Sequence, residues 1–242
     1  MEFEPSSRTE IYIKALGNGF YDLNAPWRGG PGNAPHMKER VHSIIHSATV
    51  AETDDCPVIH GGCMRLGEHR LIAVGSKGAG KTTLMLKCLL KGFAIEGDEH
   101  VVIKPDGVLA RPRTLRVKAK SIDLLPELKS QILNSPKTLD WDGGAIFAFS
   151  PQLTEHIWSI KNGHANAILI LKPNHGGLSS LKPIGASSLF DNLLEQVYLP
   201  ISGKGRALAT LHSLTRRTKA FELRIGNLDG AVALLERLCA VR

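Results

Sequence analysis

The sequence predicts an α/β protein in which helices flank a mixed central sheet. Residues 71–74 form an apolar run typical of a buried strand, and residues 82–91, which follow a glycine-rich segment, have a helical pattern. Two further apolar runs, 144–149 and 165–171, predict central strands. The chain has 242 residues, which is enough for one sizeable α/β domain or two small ones.

The rest of the chain predicts shorter elements. Residues 1–20 suggest a strand or hairpin, and residues 24–36 are rich in Gly and Pro and predict an irregular stretch. The further predicted elements are strands at 41–45, 58–59, 64–66, 70–74 and 93–95, a hairpin of 100–103 and 108–110, a helix at 121–133 capped by Ser121, an amphipathic helix at 186–198 stopped by Pro200, a strand near 221–226 and a final helix at 229–241.

Composition and charge exclude several classes of protein. No apolar run approaches the ~20 residues of a membrane span, and the N-terminus lacks the apolar segment of a signal peptide, so a cytoplasmic location is expected. The four cysteines form no CxxC pair, which argues against disulfides and a zinc site. The net charge is +7, and residues 61–242 hold the whole positive excess. This charge suits nucleotide phosphates and acidic partners, and no nucleic-acid-binding motif accompanies it.

The most informative motif lies between the predicted strand at 71–74 and the helix that follows. The run Gly75-Ser76-Lys77-Gly78-Ala79-Gly80-Lys81-Thr82 fits the pattern G-x-x-x-x-G-K-[ST], and Thr83 comes next. In a strand–loop–helix setting, backbone N–H groups at the helix start converge on phosphate oxygens. Lys81 is expected to reach the terminal phosphates of ATP, and the Thr82 hydroxyl is expected to hold Mg²⁺. The alternative is a glycine-rich turn with no ligand.

An acid partner for this loop is predicted at Asp98 and Glu99. Phosphoryl transfer needs carboxylates near the terminal phosphate, and the strands at 144–149 and 165–171 end without an acid. Asp98 and Glu99 follow the strand that comes after the loop helix. One helix and one short turn would return the chain beside the loop strand and bring these acids to its phosphate end. The alternative is a solvated acid pair in a turn.

His60 and several basic residues are further candidates. His60 precedes two glycines and could lie against a bound phosphate, or it could be an ordinary half-buried histidine. Residues 202–206 predict a flexible basic loop that could close over a substrate. The residues from which one cation could complete the site are Arg111, Arg113, Lys204, Arg206, Arg216 and Arg217, each of which could instead belong to a solvated charged face.

Residues 60–118 resemble the HPr serine kinase/phosphorylase C-terminal domain family, and most of all its shorter HPr-kinase-related branch. The resemblance lies in His60 at a fixed interval before the loop, in the loop itself, in the acid pair after 92–97, and in the run 109–118. It implies a P-loop kinase fold of the phosphoenolpyruvate-carboxykinase type over residues 41–242, after an N-terminal segment, 1–40. It also implies that Asp98 is the general base and that Glu99 assists Asp98 and Thr82 in metal binding.

The resemblance further implies the activity and the partners. The implied function is an ATP- and Mg²⁺-dependent serine kinase, in homo-oligomeric form, that acts on a protein or a modified, ribosomally made peptide. The glycine-rich second signature of the family is absent, and residues 221–226 resemble it only weakly. HPr itself is therefore not the implied acceptor. Two other classes stay open: a non-catalytic ATP-binding regulatory or assembly module, and a small-molecule kinase or ATPase.

Overall fold

A computed structural model describes residues 11–24, 30–34, 37, 40–41, 44–45, 55–140, 143–151, 161–200 and 202–240. This part of the chain is a mixed α/β structure with a nine-stranded central sheet and two three-stranded sheets. The strands are β1 (Tyr12–Gly17), β2 (Phe20–Asn24), β3 (Gly30–Asn33), β4 (Val58–Leu66), β5 (His69–Val74), β6 (Ala94–Gly97), β7 (His100–Lys104), β8 (Gly107–Ala110), β9 (Leu115–Lys118), β10 (Lys137–Leu139), β11 (Ala145–Phe149), β12 (Ala167–Pro173), β13 (Ser180–Pro183), β14 (Val197–Tyr198) and β15 (Lys219–Ile225). The α-helices are α1 (Lys81–Leu89), α2 (Lys129–Leu133), α3 (Ala186–Leu194), α4 (Lys204–Arg217) and α5 (Leu228–Ala240).

The central sheet is mixed, as the sequence predicts. Its strand order is β13-β15-β12-β5-β4-β7-β8, and β6 and β14 also pair with β4. Strands β5, β12 and β15 run parallel, whereas β4 runs antiparallel to β5. The parallel strands β5 and β12 alternate their apolar side chains between two buried faces, which is why both strands are almost wholly apolar.

Helices cover both faces of this sheet. On one face, α1 and α5 pack in a core that includes Leu84 and Leu235. On the other face, Leu189 of α3 and Leu211 of α4 lie in a second core. The sheet is therefore the middle of three layers, and the loop between β5 and α1 lies at the edge where the parallel strands end.

Strand β4 organises the region of interest because different halves of it pair with different strands. Its first residues, Val58 to His60, pair with β7 and β14, and its later residues pair with β5 and β6. Gly61 and Gly62 mark the change. A Cβ atom at Gly62 would lie 2.0 Å from the Met85 Sδ atom of α1, so glycine is what lets this helix pack against the strand.

Several predicted elements differ from the structure. Residues 121–133 form two 3-10 turns and the short α2 instead of one helix, because Pro126 cannot continue a helix, and Ser121 makes no cap. The strand β11 lies in the small sheet β10-β11-β9 and not in the central sheet. The helix predicted at 186–198 ends at Leu194, and β14 follows it.

Two further predictions near the chain's ends also need correction. The predicted strand at 41–45 is wrong, since Val41, Ile44 and Ile45 are helical. The predicted loop at 202–206 is the start of α4, and Gly203 precedes that helix with φ at 69°. The domain boundary after residue 40 stays a prediction; Leu23, Met37 and Ile44 share one small apolar cluster. The irregular stretch predicted at 24–36 lies partly outside the described residues, and its described part includes the strand β3, so the prediction is wrong there.

Candidate active site

The glycine-rich run forms a turn between β5 and α1, in the strand–loop–helix arrangement that the sequence predicts. Gly78 and Gly80 have φ values of 88° and 91°, in the left-handed region that favours glycine. Gly75 allows a close approach, since a Cβ atom there would lie 3.0 Å from the Ala79 Cβ atom and 3.1 Å from the Leu171 carbonyl oxygen. The shape of the loop therefore favours glycine at three positions, which are the two glycines of the pattern and Gly78 between them.

Lys81 is the first residue of α1 and folds back over the loop. Its Nζ atom donates hydrogen bonds to the carbonyl oxygens of Gly75 (2.6 Å) and Ser76 (3.3 Å). Burial lowers the pKa of Lys81, and the charges of Asp98 and Glu99 oppose this shift. The ammonium group is thus held at the inner side of the loop, where it can exchange carbonyl oxygens for phosphate oxygens.

The acid pair lies beside the start of this helix. Asp98 is buried, with 3% of its surface exposed, and its Oδ2 atom accepts a 3.1 Å hydrogen bond from the Thr82 hydroxyl. Its Oδ1 atom accepts a 2.9 Å hydrogen bond from the Glu99 N–H. Burial, followed by the charge of Glu99, raises the pKa of Asp98 from 3.8 to about 6. A carboxylate with this pKa can exchange a proton near neutral pH.

The route by which the acids reach the loop differs from the predicted one. Strand β6 does not pair with β5; both pair with β4, which lies between them. Cys63 pairs with Gly97 and His60 with His100, so Asp98 and Glu99 lie opposite Gly62 and Gly61. Because those two glycines carry no side chain, no β4 side chain stands between Asp98 and the loop helix.

Glu99 points to a different partner from Asp98. Its backbone has a φ of 70°, which is uncommon for a residue other than glycine, and its carboxylate forms an ion pair with Arg113. The Nε atom of Arg113 is buried and has no hydrogen-bond partner among the described residues. Arg113 therefore brings a largely buried guanidinium to the acid pair. A buried donor such as its Nε atom is rarely left without a hydrogen-bond partner unless a ligand binds there.

His60 lies at the same place but does not contact the Asp98 side chain in the hydrogen bonds that the structure describes. The backbone N–H of His60 donates a hydrogen bond to the Gln196 carbonyl oxygen at 2.7 Å, and its imidazole hydrogen-bonds the backbone of Glu99. Burial and the charge of Lys81 lower the pKa of His60, which favours its neutral imidazole. This position suits a residue that holds the backbone of the acid pair.

Two residues that sequence reasoning missed complete the surroundings. His100 is buried beside His60, and burial, followed by the charge of Arg111, lowers its pKa to about 3. Tyr198 of β14 packs edge-to-face against the His100 ring at 5.7 Å and is 48% exposed, which leaves an aromatic rim near Glu99. No sequence pattern pointed to Tyr198, because its place depends on the pairing of β14 with β4.

The structure places the six basic candidates in two regions, near the acid pair and on α4. Arg113 contacts Glu99, and Arg111 is close enough to depress the pKa of His100. The other four lie on α4, where Arg206 pairs with Asp55 and Arg217 donates to the carbonyl oxygens of Lys104 and Pro105. A cavity of about 430 Å³ between α3 and α4 includes Arg216, and none of its lining residues belongs to the loop.

The oxygen atoms at the loop fit a magnesium ion bound together with a nucleotide. Among the described residues, no group of three or more His, Cys, Asp and Glu side chains could hold a metal ion by itself. Mg²⁺ is typically held by one or two carboxylates together with phosphate oxygens and water. The Thr82 hydroxyl oxygen and the Asp98 Oδ2 atom, which lie 3.1 Å apart, are oxygen ligands of the kind that Mg²⁺ binds. Glu99, the next residue in the chain, carries a second carboxylate.

Comparisons with known proteins find a distant similarity in structure and none in sequence. No family model matches the sequence, and no curated protein matches it. The chain is similar in structure to the Hpr(Ser) kinase/phosphatase from Coxiella burnetii, with 12% sequence identity and a TM-score of 0.34. The match covers 76% of this chain and 97% of that one. None of the helices in the described part of the chain is long and apolar enough to span a membrane.

Proposed function

We propose that this protein is a kinase that transfers the γ-phosphoryl group of ATP to a serine-type hydroxyl. The observation that carries the proposal is the hydrogen bond between Thr82, at the start of the loop helix, and the buried Asp98 carboxylate. A glycine-rich loop alone would suit any nucleotide-binding protein. A buried carboxylate with a pKa near 6 beside that loop suits transfer chemistry in addition.

Each residue of the site has a proposed task. The loop residues Gly75 to Thr83 bind the phosphates through their N–H groups, and Lys81 neutralises charge on the terminal phosphates. Thr82 and Asp98, assisted by Glu99, hold Mg²⁺, which supplies charge neutralisation at the phosphate oxygens. Asp98 also accepts the proton of the attacking hydroxyl, and His60 fixes the backbone that carries the acid pair.

Arg113 is the cation that we propose to complete the site. Its guanidinium is held by Glu99, and the Nε donor has no hydrogen-bond partner among the described residues. A guanidinium can stabilise the charge that spreads over the equatorial oxygens of the transferred group. Tyr198 forms the rim over which a protein or peptide segment, including a ribosomally made peptide, could approach the hydroxyl-binding position.

The experiment follows the label from γ-labelled ATP. The full chain is incubated with Mg²⁺ and labelled ATP in three mixtures: with serine-containing peptides, with free serine and other small alcohols, and with no acceptor. Label on a peptide hydroxyl supports the proposal. Label on a small alcohol makes the protein a small-molecule kinase, and free phosphate alone in all three mixtures makes it an ATPase. ATP binding with no loss of label in any mixture indicates a regulatory module and contradicts the proposal.

A further inference from the structure

The central sheet continues beyond the glycine-rich loop on the side away from the acid pair. Strand β5 ends at Val74, whose partner in β12 is Ile170, but β12 runs on to Pro173 and β15 runs beside it to Ile225. Three residues of extended strand span about 10 Å. The ends of β12 and β15 therefore form a wall beside the loop, and the acid pair lies on the opposite, β4 side.

This wall borders the loop with apolar side chains on the face that α1 covers. Ile225 packs against the core that contains α1, and a Cβ atom at Gly80 would lie 3.9 Å from the Ile225 Cδ1 atom. Pro173 is the register partner of Ile225 and is exposed. It lies two residues beyond Leu171, which is buried in the same core, so both side chains are on the same face of β12. An apolar surface thus lies next to the start of α1.

A short loop, residues 174–179, adds a third apolar side chain at the end of the wall. Leu178 is 84% exposed, the largest exposed fraction of any large apolar side chain in the part of the chain that the structure describes. A Cβ atom at Gly226 would lie 2.8 Å from the Leu178 carbonyl carbon, so this loop lies directly against the residue that follows β15. The three residues Pro173, Leu178 and Ile225 form an apolar platform beside the glycine-rich loop.

Hydrogen bonds fix the backbone that carries Leu178. The Asn174 N–H donates to the Ile225 carbonyl oxygen at 2.9 Å, and the Asn174 side-chain amide donates to the Leu178 carbonyl oxygen at 2.9 Å. The Ser179 hydroxyl donates to the Asn227 carbonyl oxygen at 2.8 Å and accepts from the Asn227 N–H at 3.2 Å. Because the backbone is already ordered, a ligand that covers Leu178 loses little affinity to the ordering of this loop.

The direction of a bound nucleotide determines which part of it meets the platform. In the proposed reaction the terminal phosphate faces Asp98, on the β4 side of the loop. The rest of the nucleotide then extends to the other side, where β12 and β15 end. Ligands of open α/β sheets bind outside the carboxyl ends of the strands. The part of the nucleotide with apolar surface is the base, whose flat faces gain free energy when they leave water for an apolar contact.

We propose that Pro173, Leu178 and Ile225 bind the base of the nucleotide, with Leu178 as the main contact. The ligand class is a purine nucleotide, because a two-ring base covers more of the apolar platform than a pyrimidine does. This inference rests on the nucleotide binding in the proposed function, but it does not depend on phosphoryl transfer to any acceptor.

The first experiment separates the binding of the base from the binding of the phosphates. A non-hydrolysable ATP analogue and inorganic tripolyphosphate, each with Mg²⁺, are titrated calorimetrically into the full chain. Leu178→Ser should weaken binding of the ATP analogue about fivefold or more, because it removes apolar contact area, and should change tripolyphosphate binding less than about twofold. The control is Leu16→Ser, which removes an exposed leucine from the separate sheet of β1 and should leave both affinities unchanged.

The same titrations test the preference for purines. The matching CTP analogue should bind the natural protein about threefold or more weakly than the ATP analogue, because its smaller base buries less apolar area. Leu178→Ser should reduce that difference.

The second experiment detects the base directly. Leu178→Trp places an indole on the platform, and a base that stacks on it should quench its fluorescence and tighten binding of the ATP analogue about threefold or more. Tripolyphosphate should cause no quenching. Since the chain has three other tryptophans, the fluorescence change of the natural protein is subtracted.

Several results would overturn the inference. Equal effects of Leu178→Ser on the ATP analogue and on tripolyphosphate would show that residues 174–179 only shape the phosphate site. Unchanged binding of the ATP analogue by Leu178→Ser, or an unquenched indole in Leu178→Trp, would place the base elsewhere. Equal affinities for the ATP and CTP analogues would contradict the purine class.

These outcomes are distinct from failure of the kinase proposal. A protein in which Leu178 contributes to binding of the ATP analogue, but which transfers no label from ATP, keeps this inference and loses the kinase proposal. A protein that binds neither the ATP analogue nor tripolyphosphate contradicts both.

Discussion

The Thr82 hydroxyl donates a 3.1 Å hydrogen bond to the Asp98 carboxylate, which joins the first turn of α1 to the end of β6. Sixteen residues separate the two in sequence, and β4 lies between β6 and the loop strand β5. The contact is possible because Gly61 and Gly62 leave that part of β4 without side chains. The same hydroxyl and carboxylate that share a proton here are the oxygen ligands proposed for Mg²⁺.

The raised pKa of Asp98 predicts how activity depends on pH. Because Asp98 acts as a base only when ionised, kcat/KM for ATP should rise as the pH passes through about 6 and then level off. A pH series of initial rates between pH 5 and 8 measures this. A rate that stays constant from pH 5 to 8 would contradict the proposed role of Asp98.

The stability of the protein provides an independent test of the raised pKa of Asp98. The folded pKa of Asp98 lies above its unfolded value of 3.8, so the folded state binds more protons between about pH 4 and 6. As the pH rises through that window, the free energy of unfolding of the natural protein should therefore fall by roughly 3 kcal/mol relative to that of Asp98→Asn. Denaturant unfolding of both proteins at several pH values measures the difference, which should be constant above pH 7.

Thr82 should be needed for its hydroxyl group alone. Thr82→Val keeps the shape of the side chain but removes the donor to Asp98 and the ligand proposed for Mg²⁺. The increase in ATP affinity that Mg²⁺ gives should therefore be smaller by about tenfold or more. Thr82→Ser, the matched control, keeps the hydroxyl and should behave as the natural protein. Equal ATP affinities of the three proteins in Mg²⁺ would argue against Thr82 as a ligand.

Arg113 should affect turnover more than nucleotide binding. Arg113→Met removes the guanidinium that we propose to stabilise the transferred group, and turnover should fall about 100-fold or more. Arg217→Met, which removes an exposed arginine of α4 bound to the Lys104 and Pro105 carbonyls, should change turnover less than about threefold. Similar effects of both changes would indicate that general positive charge, and not the position of Arg113, is important.

Gly62 should be essential for the packing of the loop helix. Gly62→Ala would place a Cβ atom 2.0 Å from the Met85 Sδ atom, and such overpacking should lower the free energy of unfolding by about 1–3 kcal/mol. Gly205→Ala is the control, because a Cβ atom there meets nothing within 4 Å and alanine favours the helix α4. It should raise the free energy of unfolding by about 0.5–1 kcal/mol. Unfolding curves in denaturant give both values.

The sequence was most informative where a local pattern determines the local structure. The hairpin of β7 and β8, the neighbouring strands predicted at 64–66 and 70–74, and the loop before α1 depend on turn residues and apolar runs that are contiguous in the chain. The approach of the acids to the loop helix was also predicted. Its route was not, because the pairing of β6 with β4 depends on contacts between distant residues.

The errors have physical causes as well. Gly203 precedes α4 and Gly205 lies in its first turn, and both favour a loop in sequence. Ala207, Leu211 and Leu214 nevertheless bury one face of the helix and stabilise it. Strand β11 is apolar enough for a central strand, yet it lies in a small sheet that packs over α1. The ion pairs of Asp140 with Lys77 and Lys118 were missed because these residues come from the end of β10, the loop and β9, and no local pattern connects them.

The most direct test of the central claim compares the natural protein with Asp98→Asn in two measurements on the same preparations. Calorimetry gives the affinity for ATP with Mg²⁺, and γ-labelled ATP gives the rate at which label leaves the nucleotide. We predict that Asp98→Asn still binds ATP with Mg²⁺, at most about tenfold more weakly because an amide oxygen replaces one carboxylate ligand of the metal, and releases label at least about 100-fold more slowly. An Asp98→Asn protein that turns over labelled ATP at the natural rate would contradict the account.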